Sequence, residues 1–490
     1  MFPEQSASTA APALDAYRAQ RPVWRPSPDD PDLDHAEIEV PQDYAHPGGE
    51  RLTLALSRSR ARDPRRRRGI LLAVNGGPGG DWGRGRALVA ALRGTPTHEV
   101  YDLIGFDPRG TGDSTRLYAE VVVPKAPFDS RPPDAHFARI AEDMRLREDG
   151  CARAGGTLRP HVSTRNTARD MDLIRAVLDE ERLSFVGYAY GSYVGAVYGT
   201  MFPERLDRSV LDSCVHPGWT WYEQFVSQGD AILRNVRQWA RWAGDRDSVF
   251  GLGVGAEAVL ASVERAVRRL EELPEGVDLR TLLDGAMGYR TADRGAWERL
   301  GRMIARLGDV PGGEAGAALA RSLLADQRGW RPTDHEGESR SGVLDAVTLE
   351  HDWPTSLAEY FTAMRDFRVR HPYGYGVLRA QPWVGTFRSF TPPEPPTKIV
   401  RNGFPTGVVV QADGDIMDHH DGGVAMAERL GHRLITVTDS GDHEIFVLAG
   451  NAEVDALVHR YLTDGELPPE GTRCAGATPR PDIPADPGRG

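Results

Sequence analysis

The chain has 490 residues, 40% hydrophobic and 27% charged, with a formal net charge of −12. These values describe a soluble globular protein that is too long for one ordinary domain. The acidic excess, offset by no basic face, argues against a nucleic-acid partner, and no run nears the roughly 20 apolar residues that cross a bilayer, so neither a nucleic-acid nor a membrane partner is expected.

Residues 1–35 are rich in Pro, Ala and Asp and predict an irregular lead-in. The first 25 residues show no basic start followed by an apolar stretch, so no secretory signal and a cytoplasmic location are expected. Apolar runs at 37–40, 52–57, 70–74 and 101–106 predict strands. Arg65, Arg66, Arg67 and Arg68 fall between two of them and are read as a solvated turn rather than an anion site. Met171, Ile174, Val177 and Leu178 have helical spacing and lead into a strand at 183–186. Further strands are predicted at 209–212, 407–411 and 434–437. This alternation predicts an α/β fold, with a mostly parallel eight-stranded sheet and helices on both faces.

Helical periodicity dominates residues 217–392, as in Val259, Leu260, Val263, Val267 and Leu270, and predicts an inserted helical cap. The core is thereby divided into residues 36–216 and 393–467. The cap opens on the aromatic run Trp219-Thr220-Trp221-Tyr222-Glu223-Gln224-Phe225, which suits either packing between cap and sheet or a pocket wall. Residues 468–490 are Pro/Gly-rich and predict a disordered tail. The three cysteines, Cys151, Cys214 and Cys474, are spaced for neither a disulfide framework nor a metal site, and neither metal nor cofactor is expected.

Gly187-Tyr188-Ala189-Tyr190-Gly191 carries the chemistry, and does so by what it lacks. It has the frame of a nucleophile elbow, G-x-S-x-G, between a strand and a small-residue helix, with alanine at the serine position. Asn75-Gly76-Gly77-Pro78-Gly79-Gly80 follows another strand and can turn backbone N–H groups toward a ligand oxygen. Gly77 and Tyr190 are the matching oxyanion-hole donors. A phosphate loop is the rival reading, but the G-x-x-x-x-G-K-[ST] lysine is missing. Asp107 and Arg109, in Asp107-Pro108-Arg109-Gly110-Thr111-Gly112, are read as braces between loops rather than substrate contacts.

An α/β-hydrolase places its acid and then its base after the nucleophile. His443, after the strand at 434–437, is the expected base; Asp415 is its preferred orienter, with Asp413 as the fallback. His419 and His420, beside Asp418 and Asp421, are read as helix capping rather than a metal site. Ser192, three residues beyond Ala189, would need the corner to shift by most of a turn to act as nucleophile. Tyr188 and Trp221 are candidates for substrate contact.

These motifs, with Asn166-Thr167-Ala168-Arg169-Asp170-Met171, Met201-Phe202-Pro203-Glu204-Arg205 and Asp464-Gly465-Glu466-Leu467-Pro468, resemble the α/β-hydrolase peptidases of the proline iminopeptidase and tripeptidyl aminopeptidase group. The likeness runs from about Val40 to Gly471. It implies a triad hydrolase with a helical cap that removes residues or short peptides from free amino termini. It also implies an acidic cap residue that holds the substrate ammonium, for which Glu223 is the candidate. Ala243 and Phe250 stand where the resemblance would place a cap cysteine pair, and Asn75 where iminopeptidases have histidine.

Three readings of Ala189 follow. One is an inactivated serine-to-alanine variant of a hydrolase acting on a small molecule or short peptide. Another is a native serine-less enzyme in which His443 and Asp415 perform isomerase, cyclase or lyase chemistry. The third is a non-catalytic ligand-binding protein. Oligomeric state is open.

Overall fold

The computed structural model describes residues 14–28, 30–79, 85–325 and 339–488. Its strands are β1 (Arg25–Pro26), β2 (Asp34–Pro41), β3 (Arg51–Ser59), β4 (Gly69–Val74), β5 (Tyr101–Phe106) and β6 (Tyr118–Glu120). The second half adds β7 (Leu183–Tyr188), β8 (Leu206–Asp212), β9 (Ser339–Ser341), β10 (Val408–Ala412), β11 (Arg433–Thr438) and β12 (Arg473–Ala475). Ten form one sheet in the order β1-β2-β3-β5-β4-β7-β8-β10-β11-β12. Pairing is antiparallel from β1 to the β3–β5 contact and parallel from there to β12.

The sheet is mostly parallel, but among the described residues it has ten strands and not eight. The two additional strands, β1 and β12, lie at the edges and are two and three residues long. Segments that short show no periodicity in the sequence, and backbone pairing alone defines them. β12 also corrects the expected disordered tail. Its residues pair with Thr436–Thr438, and beyond it Ile483 O accepts from Arg246 Nε and Asp486 N donates to Asp245 O, each at 2.7 Å. The prolines of this run forbid regular structure without preventing an extended chain from docking. In the lead-in, β1 pairs with β2; residues 1–13 lie outside the described residues.

All six residues of β4 and of β7 are buried, because helices cover both faces of the sheet. Ile70, Leu72 and Val74 join the core containing Met171, Ile174 and Val194. Leu71 and Ala73, pointing the other way, join Leu88, Val89, Val454 and Val458. Between β8 and β10, the helices Trp221–Gly244, Ala256–Glu271, Gly276–Ala292 and Trp297–Gly308 enclose a separate core around Trp239, Trp297, Leu270 and Leu283. Ala243 and Phe250 are buried within it. No helix among the described residues is long and apolar enough to cross a membrane.

The helix Tyr190–Met201 crosses β4 so closely that a Cβ on Gly191 would stand 2.2 Å from the Val74 carbonyl oxygen. Backbone cannot yield to that as a flexible side chain could. Gly191→Ala is therefore expected to destabilise the protein by about 3 kcal/mol, read as a lower denaturant midpoint at unchanged slope.

Candidate active site

β7 ends at Tyr188 and the next helix begins at Tyr190, leaving Ala189 as a one-residue corner at φ 50°, ψ −121°. A side-chain-bearing residue in this region is strained by about 1–3 kcal/mol, and the surroundings must hold it there. Ala189 N donates to Asp212 O at 2.9 Å, which ties the corner to β8. Opposite the methyl passes the glycine loop. A Cβ on Gly76 would lie 2.2 Å from Ala189 Cβ and 3.0 Å from Tyr190 N, so only glycine fits. Gly77 has φ 54° with open space where a Cβ would point. The Tyr190 N–H, first in its helix, has no intrahelical acceptor. The elbow and this loop thus face one another across position 189. Gly80, the last residue of the motif, lies outside the described residues.

The acid and base meet directly. Asp415 is fully buried, and its Oδ2 lies 2.9 Å from His443 Nδ1. Its Oδ1 accepts from Met417 N at 2.8 Å and Asp418 N at 3.1 Å, which fixes the carboxylate's orientation. Asp413, the fallback, accepts instead from Asp439 N and Ser440 N and braces the β10 loop against the β11 loop. The segment after His443 is fastened to the same end of the sheet as Ala189. Asp212 accepts from Ile445 N and Phe446 N, and Glu444 N donates to Ser213 Oγ.

Burial works against a charge on His443, but the carboxylates of Asp415, Asp418 and Glu444 together outweigh it, so the imidazole pKa is raised. Asp418 and Glu444 are absent from the expected site. Glu444 Oε1 lies 3.9 Å from His443 Nε2, the nitrogen left free by Asp415. Asp418 Oδ1 accepts from Gln224 Nε2 at 2.6 Å. Their positions, next to His443 and three residues after Asp415, were the available signal.

Burial pushes the Asp418 carboxyl up to about 7, against the pull of His443. An acid raised in the folded state contributes stability that is complete below its ordinary value and lost as pH rises through about 7. Asparagine keeps an oxygen for Gln224 and never ionises. Asp418→Asn is expected to be neutral near pH 4 and stabilising by about 2 kcal/mol at pH 8, measured by denaturant melts at both pH values.

Known proteins resemble this chain over most of its length. Residues 69–244 match the family model described as alpha/beta hydrolase fold, and residues 379–474 the one described as TAP-like protein. The tripeptidyl aminopeptidase of Streptomyces coelicolor is 31% identical over 466 residues, spanning 91% of this chain and 83% of the relative. The chain belongs to the tripeptidyl aminopeptidase-like α/β-hydrolases. Serine protease Hip1 of Mycobacterium tuberculosis is 28% identical, over 89% of this chain and 86% of its own. Among solved structures, a proline iminopeptidase-related protein from Thermus thermophilus aligns over 91% of this chain and 98% of its own, with 15% identity and a TM-score of 0.35.

Within this α/β-hydrolase, two expected substrate contacts are corrected. Glu223 is exposed and caps its own helix: its Oε2 accepts from Thr220 N at 2.7 Å, and Thr220 Oγ1 accepts from Glu223 N. Tyr188 is wholly buried and its hydroxyl donates to Phe446 O at 3.0 Å, so it secures the His443 segment. Trp221 is buried against Tyr190 and His351, with ring centroids 6.0 and 6.1 Å away, and packs behind the elbow. Ser192 donates to Ala189 O at 2.6 Å and accepts from Val215 N, so it is committed to the corner. His419 accepts from Asp421 N as the cap of its helix. Asp107 and Arg109 brace. Asp107 accepts from Gly85 N and Asp113 N, and Arg109 forms a buried pair with Asp170.

Proposed function

We propose that this protein is a peptidase-type acyl-transfer scaffold in which Ala189 occupies the nucleophile position, so that it binds a short peptide or small acyl substrate without forming an acyl-enzyme. The carrying observation is the strained corner at Ala189, retained together with a fully oriented Asp415–His443 pair. A corner with no chemical task would relax at no loss, whereas this one keeps the geometry an attacking oxygen requires. The surviving parts have defined roles. His443 would take and return a proton, Asp415 would hold its tautomer, and the Gly77 and Tyr190 amides would bind the oxyanion. Substrate preference for free amino termini and the cytoplasmic location belong to this reading. A fluorophosphonate probe on the Ala189→Ser variant tests it: labelling at residue 189 is expected, and an unlabelled, folded variant overturns it.

One observation favours serine-less acid–base chemistry as a second reading. Glu444 gives His443 Nε2 a carboxylate neighbour, so a proton could be exchanged at that nitrogen without a serine. In that case His443→Ala abolishes a conversion that Ala189→Ser leaves intact.

A further inference from the structure

Amide cleavage of the triad kind uses the free imidazole nitrogen twice, to take a proton from the attacking oxygen and then to hand it to the departing nitrogen. A group beside that atom therefore stands beside the departing half of the substrate. In this protein the group is a carboxylate, with Glu444 Oε1 3.9 Å from His443 Nε2. That separation is too long for a hydrogen bond, so neither group is consumed by the other. Both side chains also keep about a quarter of their surface open, 26% for His443 and 24% for Glu444.

The backbone holds Glu444 there under strain. Its φ is 62°, in the left-handed region where glycine would be at ease and a side-chain-bearing residue is not. Three successive amides fasten the segment: Glu444 N donates to Ser213 Oγ at 2.8 Å, and Ile445 N and Phe446 N donate to Asp212. Ser213 is itself at φ 52°. Two strained residues joined by one hydrogen bond thus place the glutamate beside the base.

Three carboxylates, those of Asp415, Asp418 and Glu444, act on this one imidazole. Asp415 is committed to Nδ1 and two amides, and Asp418 to Gln224. Glu444 is the one beside the nitrogen that exchanges the proton. Burial raises its carboxyl above the usual range, and Asp415 adds to the rise against the pull of His443, so a cation brought beside it would relieve an existing repulsion.

Sheet order indicates which half of a substrate meets this charge. β4, whose loop carries Gly77, adjoins β7 on one side, while β8, β10 and β11, which lead to Ser213, Asp415 and His443, follow on the other. An acyl oxygen held by the Gly77 and Tyr190 amides points toward β4. The departing bond must face Nε2, so it lies on the β8–β11 flank to which Glu444 is fastened. A nitrogen receiving a proton sits about 3 Å from Nε2, which puts Glu444 Oε1 within about 7 Å of it. Charges that close lie inside the screening length of about 8 Å at physiological salt.

We propose that Glu444 selects substrates with a cationic side chain on the residue directly after the cleaved bond, so that the preferred substrates are short peptides with Lys or Arg at that position. This rests on the hydrolase reading above and extends it to the departing half.

With Ala189 in place the chain binds without cutting, so calorimetry reads the selection directly. The probes are alanine-based pentapeptide amides in matched pairs, with Lys or Gln at the second, third or fourth position. At one position the Lys peptide should bind about tenfold tighter than its Gln partner. Glu444→Gln should bring that ratio to within about twofold of unity, and Glu444→Lys should reverse it. Each ratio is taken within one protein, so a general loss of affinity in a variant leaves it readable. Mass spectrometry of the products formed by Ala189→Ser should place the cut immediately before the preferred position. Selection by Glu444 is overturned if no position discriminates, if no peptide binds, if the preference survives Glu444→Gln, or if the cut falls elsewhere. Turnover of a neutral tripeptide anilide by Ala189→Ser reports on hydrolysis separately. A variant that cuts the anilide without any Lys preference removes only the Glu444 site. An inert variant whose parent still prefers Lys through Glu444 removes hydrolysis and keeps the cation selection.

Discussion

Ala189→Ser is expected to raise turnover of a tripeptidyl or aminoacyl anilide by a factor on the order of 10⁶, equivalent to about 8 kcal/mol of transition-state stabilisation. The substitution adds one oxygen to a corner already held at φ 50°, so the backbone need not move. Gly76, without a Cβ, lets the glycine loop pass directly against the Ala189 side chain. The base is oriented in advance by Asp415, and the loop bearing it is fixed through Asp212, Ser213 and Tyr188. Every costly part of the catalyst is therefore assembled before the oxygen arrives, and the fold should lose little stability. Burst kinetics with the anilide, together with labelling at residue 189, would show an acyl-enzyme. A folded variant that neither turns over nor labels would remove hydrolysis from consideration and leave the serine-less reading.

Much of this site was legible because its parts are local. The elbow, the glycine loop and the turns holding Asp415 and His443 each follow a strand carboxyl end, and each is marked by a short run of adjacent residues. Chain order admits both Asp415 and Asp413, and the structure separates them by which carboxylate reaches Nδ1. Glu223 shows the opposite outcome. Thr220 followed three residues later by glutamate is the capping-box pattern, a local signal that already accounted for the carboxylate. Tyr188 sits in a strand buried at every position, which left its hydroxyl only an internal partner. Glu444 and Asp418 carried a weaker signal: each lies close in sequence to an expected site residue, but its approach to the imidazole is set by how the loops fold. The edge strands escaped for want of length.

Within the serine-restored protein, Asp415→Asn should lower kcat by about 10⁴, and His443→Ala by at least as much. Asparagine fits the same space, and its oxygen can still accept from Met417 N and Asp418 N. Doing so turns its amide N–H₂ toward His443 Nδ1, which must then be an acceptor. The imidazole proton moves to Nε2, and the nitrogen left free by the residue at 415 can no longer take a proton from a serine. The loss is thus one of tautomer rather than of fold, and KM should change little. Asp413→Asn supplies the contrast. Its carboxylate accepts from the amides of Asp439 and Ser440, so the substitution should weaken the loop junction and lower stability while reducing kcat by less than about tenfold. Equal losses from the two variants would mean that the dyad is not the unit of catalysis. A much larger loss at Asp415 ties the chemistry to the carboxylate 2.9 Å from Nδ1 and to the imidazole it orients.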